Sequence, residues 1–224
     1  MSYYPVFLDL SGKKTVVIGG GTVAERKIEK LLECRALVHV ISRELTPELH
    51  IRSKKGDIKH IGYEFDEGSF EDAFLIIVAT DDKTLNQLVS GIARKRNILV
   101  NVADQPEECN FIVPSVIKRG DLQIAISTSG KSPAMAKKIR EALSSQFGAE
   151  YESFLNMMAN IRKQLLSEVT SGQEDRARIF HELVDSGLLE SIKKKDLSGV
   201  ASELQGILKK DITSDDVINY MKGE

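Results

Sequence analysis

Cysteine and tryptophan are scarce or absent: the 224 residues include 2 cysteines, at positions 34 and 109, and no tryptophan. The cysteines form no CxxC pair, which excludes a disulfide framework and a cysteine-based zinc or redox motif. The 4 histidines lie far apart without the paired spacing of metal ligands, so we predict no resident metal site. No apolar run approaches the roughly 18 residues of a membrane span, and no leader opens the chain, which predicts a cytoplasmic protein without membrane contact.

The chain also lacks a large excess of charge of either sign. The 31 Lys and Arg residues against 33 Asp and Glu residues give a net charge of -2, and 42% of all residues are hydrophobic. This composition excludes a disordered acidic tail and a chain that is basic overall. The lysine run 193–195 is typical of a solvated helix end, so we expect no nucleic-acid partner.

The segment 113–140 departs from this balance. Against the single acid Asp121 it carries six basic residues, which gives 6 − 1 = +5 as the local charge: Lys118, Arg119, Lys131, Lys137, Lys138 and Arg140. A polyanionic substrate suits such a segment. For Lys137 and Lys138, the alternative is the solvated face of a helix.

Short β-branched runs alternate with helical patterns between residues 13 and 102. This alternation predicts an α/β fold with a Rossmann-type parallel sheet that is covered by helices on both faces. The predicted strands are Thr15–Ile18, Leu37–Ile41, Lys59–Tyr63, Leu75–Ala79 and Ile98–Val102. The helical patterns between them are Val23–Glu33 and Leu85–Arg96.

A β-hairpin and a helical region follow this sheet. The segments Phe111–Ile117 and Leu122–Ser127 predict the hairpin, and Pro114 within the first segment indicates an edge or a bulge. Ser132 is a favourable N-cap before a proline, and the predicted helices cover about 133–147, 150–170, 174–186, 197–209 and 214–222. We therefore predict three parts: a Rossmann domain at 1–110, a hairpin and helix at 111–148, and a C-terminal helical domain at 149–224.

The strongest local motif is Gly19-Gly20-Gly21-Thr22-Val23-Ala24, which matches G-x-G-x-x-A between the first strand and the first helix. Gly19 permits the tight turn, Gly21 lets the backbone approach a pyrophosphate, and Ala24 permits close helix packing. The amides of the helix N-terminus can then bind phosphate. The alternative is a glycine-rich turn that binds nothing, but the strand, the helix and a second strand at the right distance favour a dinucleotide site.

The ends of two other predicted strands add candidate cofactor contacts. Ser42, Arg43 and Glu44 follow the second strand, where an acid at the strand tip would indicate NAD. Ser42 or Glu44 can bind a ribose hydroxyl, and Arg43 can stack on adenine or accept a 2′-phosphate, which leaves NADP open. Thr80 and Asp81 follow the predicted strand Leu75–Ala79 and can line the cofactor crevice, although Asp81 and its neighbour are also typical of a helix N-cap.

Asp104 is the best candidate for proton chemistry. It follows the predicted strand Ile98–Val102 at the same sheet edge, near the expected nicotinamide end, where a carboxylate can exchange a proton as hydride departs. The alternative is a turn residue before Gln105. A hydroxyl-rich loop that enters a helix N-terminus supplies a candidate binder of carboxylate or phosphate: Ser127, Thr128, Ser129, Gly130, Lys131 and Ser132.

Several motifs occur together in a fixed order. They are Tyr4–Leu10, the glycine motif extended to Lys27, Ala79–Asp82, Asn101–Asp104 and Phe111–Ser115, and together they resemble the precorrin-2 dehydrogenase family, the N-terminal half of bacterial siroheme synthase. The loop 127–133 with Ala136 and Arg140 is similar to the signature loop and helix of that family. The resemblance covers residues 1–147 well and the helical tail only in size and type.

The resemblance implies a reaction in which NAD oxidises precorrin-2, a polycarboxylate tetrapyrrole, to sirohydrochlorin. It makes Asp104 the general base and puts NAD contacts at Thr22, Val23, Arg43 and Glu44. The binding of the substrate carboxylates then falls to the basic segment.

The resemblance also carries expectations for the segment 111–148. The signature loop and Arg140 would bind substrate, and Thr128 stands where some members have a serine that can be phosphorylated. Family members are homodimers whose hairpins and helices interlock, which makes 111–148 the expected dimerisation segment. Because the chain ends before a methyltransferase domain could begin, we expect another protein to perform the methylation.

Three alternatives stay open at this point. The first is a bifunctional enzyme that also inserts Fe²⁺ into sirohydrochlorin, with Asp104 removing pyrrole protons. The second is an NAD(H)-sensing regulatory module without turnover, which would have no need of Asp104. The third is a dehydrogenase of a small hydroxy acid, but its expected His- or Arg-rich constellation after the sheet is not visible in the sequence.

Overall fold

A five-stranded parallel sheet forms the first part of the structure, a computed structural model that describes residues 3–167 and 172–223. Its strands are β1 (Lys14–Ile18), β2 (Leu37–Ile41), β3 (Lys59–Gly62), β4 (Leu75–Val78) and β5 (Leu99–Val102). The connecting helices are α1 (Thr22–Glu33), α2 (Pro47–Lys55) and α3 (Lys83–Lys95). The spatial order β3-β2-β1-β4-β5, with all pairs parallel, confirms the predicted Rossmann-type fold.

The sheet buries side chains on both faces. Val16 packs in one apolar cluster with Val89 of α3, and its neighbour Val17 packs in another with Ile28 of α1 and Leu49 of α2. Successive strand residues point to opposite faces, so helices on both sides require apolar residues at consecutive positions. This requirement explains why the strands appear as short continuous apolar runs in the sequence.

The carboxyl ends of the strands are level. Ile18 at the end of β1 pairs with Ile41 of β2 and Val78 of β4, and Val78 pairs with Val102 of β5. From β1 the chain builds β2 and β3 on one side and β4 and β5 on the other, so the topological switch point lies between β1 and β4. Ligands of open α/β sheets bind outside the carboxyl ends at such a point.

The second part contains a hairpin and helices. β6 (Ser115–Arg119) and β7 (Leu122–Ile126) pair antiparallel, and Gly120 takes a positive φ of 55° at the first position of the two-residue loop. The helices are α4 (Pro133–Ser144), α5 (Glu150–Ser167), α6 (Gln173–Asp185), α7 (Leu188–Lys193), α8 (Leu197–Leu208) and α9 (Ser214–Met221). Helices α5 to α9 enclose an apolar core that includes Met157, Leu183 and Leu204.

Most predicted elements are confirmed, with differences at their ends. The hairpin prediction was wrong at Pro114: β6 begins at the next residue, so this proline precedes the strand. Helix α4 ends at Ser144, three residues before its predicted end, and the predicted end of α5 at Thr170 lies outside the described residues. Helix α2 was not predicted from the sequence, and of α7 only its solvated end at the lysine run 193–195 was predicted.

The chain divides into two compact units. One contains the residues up to Val113 together with Ser129–Lys131, and the other contains Pro114–Thr128 and the residues from Ser132 onward. The three-part division drawn from the sequence stays a prediction. Across residues 3–167 and 172–223, no helix combines the length and the apolar character needed to cross a membrane.

Candidate active site

The glycine turn between β1 and α1 lies between the tips of β2 and β4. The Gly19 amide donates to the Ile41 carbonyl at 2.9 Å, and the Ala79 amide donates to the Ile18 carbonyl at 2.8 Å. Gly19 has φ 115°, and a Cβ at this position would overlap the Ala79 carbonyl oxygen. Its backbone conformation and its surroundings both therefore require glycine.

Gly20 is also required, which the motif analysis did not recognise. A Cβ on Gly20 would overlap the Glu44 carbonyl oxygen and would lie 2.7 Å from the Ser42 hydroxyl. The Thr46 amide donates to the Gly20 carbonyl at 3.0 Å. The middle glycine of the motif is thus the contact point between the glycine turn and the loop that follows β2.

Gly21 faces open space. No heavy atom lies within 4 Å of a Cβ built on it, and it is the N-cap of α1, where it offers no side chain to the first amides of the helix. By contrast, Thr46 caps α2 and Asp82 caps α3 through side-chain oxygens. An open approach to uncapped amides at the switch point is the arrangement that a dinucleotide pyrophosphate requires, so these residues fit a dinucleotide. Thr22 is exposed and Val23 half-buried in the first turn of the same helix.

The tip of β2 is fixed to β3. The Ser42 amide donates to the Gly62 carbonyl at 3.1 Å, and the Ser42 carbonyl lies 2.9 Å from His60 Nε2. The Ser42 hydroxyl donates to the Glu44 carbonyl at 2.6 Å, so it can meet a ribose hydroxyl only as an acceptor. Arg43 is exposed, and its guanidinium pairs with Glu64 at 2.8 Å.

The loop after β4 is organised around Asn86, a fully buried polar residue of α3. The Thr80 hydroxyl donates to Asn86 Oδ1 at 2.8 Å, and Asn86 Nδ2 donates to the Thr80 carbonyl at 3.1 Å. Asp82 is the N-cap of α3, because its carboxylate accepts the Thr84 and Leu85 amides at 3.0 Å. Asp81 is exposed, and within the described residues nothing donates a hydrogen bond to its carboxylate.

Asp104 lies on the turn that leaves β5. The preceding amide, of Ala103, donates to the Val78 carbonyl at 2.8 Å and thereby ties this turn to the end of β4. Asp104 is exposed and has a φ of 59°, a left-handed conformation that aspartate tolerates better than most residues. Asp104 therefore lies at the same edge of the sheet as the glycine turn.

The buried side chain of Cys109 contacts the backbone of this turn. The buried thiol accepts a hydrogen bond from the Val102 amide at 3.2 Å, and it lies 3.4 Å from the Val102 carbonyl and 3.3 Å from the Gln105 carbonyl. Asn101 donates to the same sulfur at 3.5 Å and to the Phe111 carbonyl at 3.3 Å. Burial raises the pKa of the Cys109 thiol, so the sulfur keeps its proton near neutral pH.

Asn110 pairs with the outer edge of β5. The Val100 amide donates to its Oδ1 at 2.8 Å, its Nδ2 donates to the Ile98 carbonyl at 2.8 Å, and its own amide donates to the Val100 carbonyl at 3.1 Å. Arg94 of α3 donates to the Glu107 carbonyl at 2.7 Å. The segment between Asp104 and Asn110 is therefore anchored to both β5 and α3.

Lys27 of α1 is a charged neighbour of this region that sequence reasoning did not single out. The side chain is half-buried, and burial lowers the pKa of its ammonium group, with Lys30 the next largest cause. Asp104 has a smaller effect in the opposite direction, because its negative charge favours the charged lysine. Lys27 thus belongs to the electrostatic environment of Asp104.

The loop between β7 and α4 has two consecutive residues with positive φ, Ser129 at 53° and Gly130 at 80°. The Thr128 hydroxyl accepts the Ser132 amide at 3.0 Å, and the Ser132 hydroxyl accepts the Met135 amide at 3.2 Å as the N-cap of α4. Ser127 and Lys131, like Ser129, are exposed. Both hydroxyls at the helix entry are thus already engaged with the backbone.

The positive charge of α4 is partly balanced by Glu141. Its carboxylate lies 3.9 Å from Lys137 and 3.7 Å from Arg140. Glu141 lies one residue beyond the basic segment 113–140. The charge of +5 counted for that segment therefore overstates the positive charge around α4. The pairs are exposed, and such pairs are weak enough for an anion to replace the carboxylate.

Level strand ends bring most predicted cofactor and catalytic residues to one edge of the sheet, outside the ends of β1, β2, β4 and β5. They are Gly19, Gly21, Thr22, Ser42, Arg43, Glu44, Thr80, Asp81 and Asp104. The predicted substrate residues are divided between the two compact units: Ser129–Lys131 in the first, and Ser127, Thr128, Ser132 and Arg140 in the second. Within the described ranges, no group of three or more His, Cys, Asp or Glu side chains is arranged to hold a metal ion.

Two family models match this chain, one over the parallel sheet and one over the hairpin and α4. A family model described as "Putative NAD(P)-binding" matches residues 6–115, and one described as "Sirohaem biosynthesis protein central" matches residues 119–146. The solved structure of SirC, precorrin-2 dehydrogenase, has a TM-score of 0.78 and 30% sequence identity, with 93% of this chain and 100% of that chain covered.

Two curated relatives are siroheme synthases. The protein from Mannheimia succiniciproducens is 35% identical over 218 aligned positions, and the match covers 94% of this chain and 44% of that protein. The protein from Photorhabdus laumondii is 36% identical over 216 aligned positions, and the match covers 93% of this chain and 46% of that protein. The chain therefore spans less than half the length of these relatives.

Proposed function

This chain belongs to the precorrin-2 dehydrogenase family, and we propose on that basis that it oxidises precorrin-2 to sirohydrochlorin with NAD as the oxidant in siroheme biosynthesis. One structural observation carries the proposal: the Asp104 turn leaves β5 at the same level edge as the open glycine turn of β1. A hydride acceptor bound at the switch point and a base on the neighbouring turn are the two groups that such an oxidation needs.

Cofactor binding falls to the glycine turn and to the loops beside it. The uncapped amides of Thr22 and Val23 bind the pyrophosphate, for which Gly21 leaves space. Ser42, Arg43 and Glu44 meet the adenosine ribose, and Thr80 and Asp81 line the crevice beyond the end of β4.

Asp104 takes the proton in this proposal. The oxidation removes a hydride and a proton from the macrocycle; NAD⁺, when bound, supplies the acceptor for the hydride. The Asp104 carboxylate accepts the proton and passes it to solvent, to which it is exposed. The hydrogen bonds of Cys109 and Asn110 keep the turn in place while the charge of the carboxylate changes.

Substrate binding falls to the loop 127–132 and to Arg140. The substrate is a polycarboxylate, and the loop leads into the N-terminus of α4, which favours negative charge. A substrate carboxylate can displace Glu141 from Arg140, because the 3.7 Å pair is exposed. We also propose that the hairpin and α4 form a homodimer interface, since Val116, Met135 and Ile139 expose apolar side chains there. We further propose a cytoplasmic location.

Anaerobic turnover tests the proposal. The purified chain is incubated with enzymatically generated precorrin-2 and NAD⁺, and the absorption spectrum of sirohydrochlorin is followed; we expect its formation to depend on both chain and nucleotide. If the folded chain binds nucleotide but forms no sirohydrochlorin with NAD⁺ or NADP⁺, the proposed oxidoreductase activity is wrong, and an NAD(H)-sensing module becomes the proposed function. Addition of Fe²⁺ afterwards tests the bifunctional alternative, which requires metal insertion faster than in an enzyme-free control.

A further inference from the structure

The residue at the tip of β2 raises a question about nucleotide choice. In Rossmann-type sheets this position lies next to the adenosine ribose, where an acid recognises the 2′-hydroxyl of NAD and an arginine accommodates the 2′-phosphate of NADP. Arg43 occupies the tip, so this residue considered alone favours NADP.

The structure pairs Arg43 with an acid from the neighbouring strand. Glu64 follows β3, and its carboxylate lies 2.8 Å from the Arg43 guanidinium. Two hydrogen bonds fix the tip of β2 to the end of β3, from the Ser42 amide to Gly62 and between the Ser42 carbonyl and His60. The backbone thus keeps the two side chains within reach of each other.

We infer that Glu64 determines the nucleotide preference of this site: by holding Arg43, it favours a dinucleotide with a free 2′-hydroxyl over one with a 2′-phosphate. A 2′-phosphate would have to displace the Glu64 carboxylate from the guanidinium and would then lie beside that carboxylate. Glu44 follows Arg43 in the chain, so the three side chains together carry a charge of 1 − 2 = -1. Both effects oppose the phosphate, whereas neither acts on a neutral hydroxyl. The inference rests on the proposed dinucleotide site.

The pair is exposed, with 78% and 76% of the two side chains accessible. Water screens such a pair, so Glu64 sets a graded preference and does not exclude NADP altogether. Removal of its charge should therefore change the ratio of the two affinities measurably without affecting the fold.

Binding of the two nucleotides to the full chain tests this inference without any turnover assay. Dissociation constants for NAD⁺ and NADP⁺ are measured by isothermal titration calorimetry for the wild type and for Glu64→Gln. We expect the wild type to prefer NAD⁺ and the substitution to shift the affinity ratio toward NADP⁺ by about fivefold, the upper range for one exposed charge pair. The shift should shrink in high salt.

Glu67→Gln is the matched control. Glu67 pairs with Arg96 at 3.2 Å and is also exposed, but Arg96 lies just before β5 begins, at the opposite edge of the sheet. We expect this substitution to leave the ratio unchanged. In the double variant Arg43→Gln/Glu64→Gln the gain for NADP⁺ should vanish, because the guanidinium that binds the phosphate is gone.

The outcomes separate this inference from the proposed function. A wild type that binds NAD⁺ but shows the same ratio after Glu64→Gln overturns the role of Glu64 and leaves the dinucleotide site intact. A wild type that prefers NADP⁺ overturns it as well. A folded wild type that binds neither nucleotide overturns both this inference and the proposed function.

Discussion

The carbonyl oxygen of Glu44 fills the space that a Cβ on Gly20 would need. The Thr46 amide, two residues further on, donates to the Gly20 carbonyl at 3.0 Å, so the glycine turn and the loop after β2 hold each other in place. This contact couples the proposed pyrophosphate site at α1 to the proposed ribose site at the tip of β2. Correct folding of one loop therefore depends on the other.

Alanine at position 20 should damage the fold itself. The obstacle is backbone, which cannot rotate away like a flexible side chain, and we expect Gly20→Ala to lower the free energy of unfolding by about 2 kcal/mol or more. Urea denaturation followed by circular dichroism measures the effect. A loss below about 0.5 kcal/mol would show that the loop after β2 yields easily.

Gly21→Ala is the matched variant. Its Cβ meets no atom within 4 Å and its φ is -83°, so we expect the free energy of unfolding to stay within about 1 kcal/mol of the wild type. Affinity for NAD⁺ should nevertheless fall, because the methyl group enters the space proposed for the pyrophosphate. Unchanged affinity in calorimetry would argue against a pyrophosphate at this turn.

The sequence predicted the sheet well because its signals are local. Each strand is an apolar run of a length typical for buried strands, and the glycine motif marks the turn after β1. Helix α2 was missed because only Leu49 is buried on it, which leaves almost no periodic apolar pattern. A usable signal was present: Thr46 before Pro47 is the same N-cap and proline combination that correctly predicted α4.

Other parts of the site depend on pairings that no periodic pattern carries. The sulfur of Cys109 meets the backbone of Val102, and the side chain of Asn110 meets the backbone of β5, each across a loop. The ion pair of Arg43 with Glu64 depends likewise on β3 lying beside β2. Sequence patterns predict which residues leave the sheet edge, whereas the partners of those residues follow from strand order.

The stability that the buried Cys109 thiol contributes should decline in alkali. Burial raises its pKa above the ordinary value of about 8.5, so the folded state binds the proton more tightly than the unfolded state. The contribution is therefore complete below about pH 8.5 and is lost as pH rises through the folded-state pKa. Urea denaturation between pH 7 and 10 should show a decline in the wild type that is smaller in Cys109→Ala.

Thiol reactivity supplies a separate check on Cys109. Cys34 is exposed and Cys109 is buried, so a thiol reagent at neutral pH should modify the first quickly and the second only on unfolding. Cys34→Ser is the control and should leave no fast-reacting thiol in the folded chain. Fast reaction in that variant would contradict the burial of Cys109.

The capping box of α9 should make the C-terminal helix sensitive to acid. The Asp216 carboxylate accepts hydrogen bonds from the Thr213 hydroxyl at 2.6 Å and the Thr213 amide at 2.9 Å, which lower the pKa of Asp216. A lowered pKa stabilises the folded state above the unfolded value of about 3.9, and this stabilisation is lost as pH falls through the folded-state pKa. Asp216→Asn should therefore increase hydrogen exchange in α9 at pH 7, with a difference from the wild type that narrows in acid.

Asp215→Asn controls for charge at the same helix N-terminus. Asp215 lies in the same first turn but takes no part in the capping box, so it has in common with Asp216 only the interaction of its charge with the helix dipole. We expect a smaller increase in exchange for this variant. Equal effects of the two substitutions would mean that charge alone, and not the capping box, stabilises the end of α9.

Asp104→Asn should separate proton transfer from nucleotide binding. Asparagine tolerates the φ of 59° and the side chain is exposed, so we expect an unchanged urea midpoint and an unchanged affinity for NAD⁺. The amide cannot accept the proton, and kcat for precorrin-2 oxidation should fall by roughly 10²- to 10⁴-fold, the usual contribution of a general base. Asp57→Asn is the control, because Asp57 is equally exposed but precedes β3 at the opposite edge of the sheet, and it should retain full activity. A kcat within about threefold of the wild type for Asp104→Asn would remove the general base from the proposed mechanism and leave the proton to solvent or to the macrocycle itself.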